Sequence, residues 1–288
     1  MARAVSDPNH VIERPEWLPT SQWPHEIHSL GLAEGTVAYT DTGGDRTLLL
    51  VHTGLWSFLW RDLIAALEHR WRCITLDPPG TGLSTGTSKV GLDLAADAVN
   101  ALVHHLELRD VVLVVHDLGG PTALHAASGW TDRIRGLVAV NSFGWRPSGI
   151  AFRTMLALMG SAPVRESDLL TGWLPRLSST RFGVGRHWDS TTRRTFRRGM
   201  DHRGLRSFHN YLRAARHHDY TRIDETVARL SEIPALSAFG EKNDPLDFQP
   251  RWKQRFTDIE QLQIPAGNHF PMCDDASLLA SRIDARFQ

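Results

Sequence analysis

The stretch VLVVHDLGGPTA (112–123) sets a carboxylate, Asp117, between an apolar run and a pair of glycines. An acid at the tip of such a turn adds nothing to a core, so it either caps the following helix or performs chemistry. The succession strand, x-nucleophile-x-Gly, helix is that of a nucleophile elbow, a turn so tight that small residues must flank the reactive one. Asp117 occupies the seat serine usually holds; Val115 stands where a glycine is usual, and Gly119 and Gly120 follow. Two later residues complete a candidate triad in the chain order nucleophile, acid, histidine: Asp244 in GEKNDP and His269 in GNHF. Asp247 is a rival for the acid. His52 and His116 read as structural neighbours of the elbow, and Asp77 and Ser84, in DPPGTGLS, as turn and cap residues.

These residues need a scaffold that brings loop ends together. GTVAYTDTG, RTLLLVHTG, RCITLD, DVVLVVHD and GLVAVNSF read as strands, with helices over LWRDLIAALEHR, roughly 91–107 and PTALHAASGW. Continuous apolar runs separated by amphipathic helices describe a mostly parallel sheet covered on both faces. From 146 to 225 the chain is helical and rich in Arg, His and Trp, and the alternation resumes at IPALSAFGEKND and QLQIPAGNHF. The expected organisation is an α/β core over 1–145 and 226–288, with a helical cap over 146–225 laid on the site edge. Ligands of open parallel sheets bind at the carboxyl ends of the strands, where every unusual motif here falls. Within the cap, the arginines of RRTFRR (Arg193, Arg194, Arg197, Arg198) read as a solvated helix face.

Thirty-two basic and 32 acidic residues leave no net charge, which gives no footprint for nucleic acid or an anionic membrane. Two cysteines make no disulfide framework, no apolar run reaches membrane-span length, and MARAVSDPNH lacks the apolar core of a secretory signal. The expectation is a cytoplasmic enzyme acting on a small molecule, with no cofactor and no metal.

In EWLPTSQWP, WSFLWRDLI, DPPGTGLS, VVHDLGGP, NSFGW, GEKNDP and GNHFPMCDD the chain resembles the haloalkane dehalogenase and epoxide hydrolase group of α/β-hydrolases, which use Asp as nucleophile. The likeness covers nearly the whole chain and is weakest in the cap. It implies displacement of a leaving group from carbon by Asp117, then attack on the resulting ester by water activated by His269, with Asp244 orienting the imidazole. The backbone N–H of Leu118 and the loop at Thr53 or Gly54 are the expected oxyanion donors, and N–H groups at the helix start are expected to hold Asp117 ionised. Where dehalogenases of this group carry a halide-binding Trp, this chain has Leu118; Trp56, Trp145, Trp173 and Trp188 are candidate substitutes. The group's epoxide hydrolases donate a proton from two cap tyrosines, and Tyr211 in FHNYLRAAR matches one of them, with Trp173, His187 or Trp188 as candidates for the other. The loop HTGLW departs from His-Gly-x-Pro by lacking the proline. Tyr211 and Leu118 together favour epoxide opening over carbon–halogen hydrolysis, with a non-hydrolytic or ligand-binding homologue as a further alternative.

Overall fold

The structure is a computed structural model that describes residues 10–86 and 90–288. The described residues form one sheet from β1 (His10–Val11), β2 (His28–Leu32), β3 (Gly35–Asp41), β4 (Thr47–Thr53), β5 (Arg72–Leu76), β6 (Val111–Asp117), β7 (Ile134–Ser142), β8 (Ala235–Gly240) and β9 (Ile259–Ile264). Their spatial order is β1-β2-β3-β5-β4-β6-β7-β8-β9. Strands β4 to β9 run parallel, while β1, β2 and β3 pair antiparallel at one edge. The central strands β4 and β6 are Leu/Val runs because both of their faces are covered. Strands β1 and β2 carry no such run, and the pattern of the sequence signals neither.

Helices α1 (Arg61–Leu67), α2 (Leu92–His105) and α3 (Gly119–Ala126) follow β4, β5 and β6. Six more, α4 (Ile150–Met159), α5 (Ala162–Thr171), α6 (Trp173–Ser178), α7 (Ser190–Gly199), α8 (His202–His217) and α9 (Thr221–Arg229), fill the interval between β7 and β8 without a strand. The chain closes with α10 (Phe248–Lys253), α11 (Pro271–Asp274) and α12 (Ala276–Arg286). One apolar core joins α2, α3 and α9 to a sheet face; the other joins α1 and α12 to the opposite face. Helix α9 runs across residue 225 and buries Ile223 and Val227 in the same core as α3.

The helical interval has its own polar anchors. Asp189 and Asp201 cap α7 and α8 by accepting from Thr192 N (2.7 Å) and Gly204 N (2.8 Å). His209 and Asp168, both without exposed side-chain surface, pair at 3.0 Å between α8 and α5. Two of the arginines expected on a solvated face instead bind the preceding loop: Arg193 donates to Gly185 O and Arg197 to Ser179 Oγ. The thiols of Cys73 and Cys273 are buried and free. Among the described residues no helix is long and apolar enough to cross a membrane.

Candidate active site

Strand β6 ends on Asp117 with φ at 49°, a left-handed conformation that costs a non-glycine residue about 1 kcal/mol. The turn is held by Ser142 Oγ, which donates to Asp117 O at 2.8 Å. Gly119 and Gly120 are required by close approach: a Cβ on the first would collide with Val51 O, and one on the second with Phe143 O and Ser142 Oγ. Parallel register pairs His52 with His116 and Thr53 with Asp117, so the β4 loop lies beside the elbow.

His269, in the loop after β9, brings Nε2 to 3.5 Å from Asp117 Oδ2, with 35% and 27% of the two side chains exposed, so both groups are reachable from solvent. Its Nδ1 lies 3.0 Å from Asn243 Oδ1. An amide oxygen only accepts, so Nδ1 carries a proton and donates it to Asn243, which turns Nε2 toward Asp117. Asn243 is itself held from behind by Asn141, at the end of β7. The Asn141 amide donates to Asn243 O (2.6 Å) and lies 3.3 Å from Asn243 Oδ1, while its oxygen accepts from Gly240 N at 2.8 Å.

This arrangement corrects the expected acid. The Asp244 carboxylate accepts from Phe248 N (2.7 Å) and Gln249 N (2.9 Å), backbone donors at the start of α10 that would otherwise lack partners. A turn closed by Asn243 N on Gly240 O at 2.9 Å presents Asn243 to His269 and carries Asp244 past it. The rival Asp247 takes a left-handed φ of 52° before α10 and makes no side-chain cap bond. Asn243 and Asn141 are thus site residues that the motif reading passed over. The only trace of them in the sequence is that each sits at a strand end, in NSFGW and GEKNDP.

Beneath His269 lies a pair of buried imidazoles. His116 Nε2 is 2.7 Å from the backbone carbonyl of His269, and His116 Nδ1 is 2.9 Å from His52 Nδ1. Burial, with the nearby His269 charge, depresses both rings, His52 to about 3, so both are neutral at physiological pH. The carbonyl accepts from His116 Nε2–H, which leaves His116 Nδ1 as acceptor and His52 Nδ1 as donor. The reading of His52 and His116 as structural residues fits this chain.

Desolvation pushes the Asp117 carboxyl upward, but the hydrogen bond and charge of His269 outweigh it and leave Asp117 below its ordinary value. The Leu118 N–H at the start of the helix also lowers it, by less than His269 does. Leu118 N–H thus addresses the carboxylate, while its side chain is buried in the core. Thr53 spends its hydroxyl on Thr122 Oγ1 at 2.9 Å, and Gly54 has φ at 108° beside Phe208.

Asp117, His269, Asn141, Asn243 and Asp244 form the polar part of the lining of a cavity of about 230 Å³. Phe143, Phe152, Met155, Phe239, Leu246 and Phe248 form its apolar wall. Among the described residues no Trp or Tyr lines it, which corrects the expected leaving-group contacts. Tyr211 is fully buried and donates its hydroxyl to Pro79 O at 2.7 Å. Trp56 gives its indole N–H to Phe196 O (3.0 Å) and Trp188 gives its own to Asp62 Oδ2 (2.6 Å). Trp145 packs behind Phe248, with ring centroids 5.5 Å apart, and Trp173 packs against the core on the α1 side of the sheet.

Comparison with known proteins places this geometry in a family. Residues 46–157 match the model of the alpha/beta hydrolase fold. Haloalkane dehalogenase 2 of Mycobacterium tuberculosis (strain ATCC 25618 / H37Rv) is 30% identical over 276 residues, 92% of this chain and 96% of that protein. Among solved structures, Cfl2 from Burkholderia cenocepacia superposes with a TM-score of 0.78 at 18% identity, covering 97% of this chain and 99% of that one. The epoxide hydrolase CorEH gives a TM-score of 0.74 at 18% identity over 91% and 98%. The chain therefore belongs to the α/β-hydrolase family, in the group of haloalkane dehalogenases and their relatives, and is a hydrolase of that fold.

Proposed function

We propose that the protein hydrolyses a small apolar carbon electrophile through an alkyl ester of Asp117. The observation that carries this reading is the approach of Asp117 Oδ2 and His269 Nε2 to 3.5 Å at the polar end of an apolar cavity. A carboxylate oxygen of Asp117 attacks the sp³ carbon, forms the C–O bond and expels the leaving group with its electron pair. His269 Nε2 then takes a proton from water as the water oxygen bonds to the ester carbonyl carbon. The Leu118 N–H, with the Thr53–Gly54 loop, stabilises the resulting oxyanion; its collapse breaks the bond to the alkoxy oxygen, which takes the proton from His269 and leaves as the alcohol, regenerating Asp117.

The leaving group that fits best is a halide. A halide departs as an anion and needs no proton, whereas an epoxide oxygen must acquire one, and the hydroxyl of Tyr211 is committed to Pro79 O. The identity with a haloalkane dehalogenase over 92% of the chain supports the same order. The test sets 1-bromohexane against styrene oxide, reading bromide release and diol formation, with His269→Gln used to trap the ester for mass spectrometry. Bromide release, with alkyl mass added at Asp117, is the expected result. Diol without bromide reverses the order of leaving groups, and no added mass from either substrate overturns the covalent route in favour of a binding protein.

A further inference from the structure

A second cluster of metal-ligating side chains lies outside the catalytic cavity. Asp93 sits in the first turn of α2, His125 in the last turn of α3, and His218 caps the C-terminus of α8. His125 Nδ1 and His218 Nε2 are 3.1 Å apart. Ligand atoms bound to one tetrahedral ion at about 2.05 Å stand about 3.3 Å apart. Asp93 Oδ1 faces the other nitrogen of each ring, 3.6 Å from His218 Nδ1 and 3.9 Å from His125 Nε2, and one ligand atom from each of the three residues can be chosen so that all lie within 4.8 Å of one another.

We propose that Asp93, His125 and His218 bind a divalent transition-metal ion of the Zn²⁺ type, which clamps the end of α8 to α2 and α3. The donor set, two imidazoles and one carboxylate, suits a borderline ion and leaves a fourth position for water. The rings are pre-positioned: only 5% of the His218 side chain and 18% of that of His125 are exposed, and Tyr220 packs edge-on against His218 at 5.3 Å. The carboxylate is 78% exposed and gives an ion a way in. No spacing in the sequence signals this site, because His125 and His218 are 93 positions apart and meet only through the fold.

Such a clamp acts on the helix that covers the catalytic loops. Helix α8 carries Phe208, against Gly54, and Tyr211, bonded to Pro79 O. The experiment titrates chelator-treated full-length protein with ZnCl₂ by calorimetry and follows the melting temperature. One equivalent of Zn²⁺ is expected to bind and to raise the melting temperature. His125→Ala and His218→Ala should each weaken binding about tenfold or more, while His217→Ala, on the exposed neighbour, leaves it unchanged. If either histidine variant fails to fold, Asp93→Asn, at an exposed position, supplies the same comparison. Absence of stoichiometric binding, or binding undiminished in these variants, means the two imidazoles merely share a proton, and the proposal fails.

Discussion

His269 passes its Nδ1 proton toward the amide oxygen of Asn243 at 3.0 Å. An amide fixes the tautomer as a carboxylate does, but it carries no charge to offset the imidazolium formed when His269 takes a proton from water. The proposed ester should therefore form faster than it hydrolyses, giving a burst of leaving group before steady state. Asn243→Asp restores the charge and should speed ester hydrolysis about tenfold. Stopped-flow measurement of burst amplitude in parent and variant checks both effects.

The depressed Asp117 carboxyl gives a second test. Its stabilising contribution is complete above the ordinary carboxyl value of 3.8 and is lost as pH falls through the lower folded value. His269→Gln removes the bond and charge that oppose desolvation, so Asp117 should then titrate at higher pH. The rate of alkylation at Asp117, followed by intact mass against pH, should show its acid limb displaced upward in the variant. An unmoved limb would show that His269 does not set the charge of Asp117.

Tyr211→Phe separates packing from proton donation. The hydroxyl satisfies Pro79 O in a fully buried position, so its loss should cost about 1–3 kcal/mol. Turnover per folded molecule, measured with both an epoxide and a bromoalkane after urea denaturation has fixed the stability difference, should be unchanged. A selective loss of epoxide turnover would return Tyr211 to the chemistry.

The His209–Asp168 pair should be a principal anchor of the helical segment. His209 Nδ1 donates to Met159 O at 2.6 Å, and Asp168 also accepts from Leu174 N at 2.9 Å. Removing one partner leaves the other buried without compensation, at a cost of about 3–5 kcal/mol for His209→Ala. Urea unfolding of both single variants and the double variant measures this. A double variant less damaged than the sum of the singles is the expected coupling.

The β4 to β9 alternation, the elbow and the histidine were legible in the sequence because each rests on a local pattern: an apolar run, two glycines, a strand-end loop. Residues 243 to 247 show where that legibility stops. Asn243, Asp244 and Asp247 are all polar residues on one loop, and which one meets His269 depends on a turn closed on Gly240 and on the pull of α10's free N–H groups. The aromatic residues were misplaced for a related reason. A Trp or Tyr reads as a donor wherever it stands, and only the packed structure shows Phe196 O, Asp62 and Pro79 O already waiting for Trp56, Trp188 and Tyr211.

His116 precedes Asp117 in the chain and reaches the main-chain oxygen of His269 at 2.7 Å. The distance between Asp117 and His269 is thereby gauged from below by a strut anchored to backbone, independent of any molecule above it. The cavity wall, made of residues from other segments such as Phe152 and Met155 on α4, is free to be recut without retuning that gap. A chain built this way can change what it accepts while its cutting edge keeps the same setting.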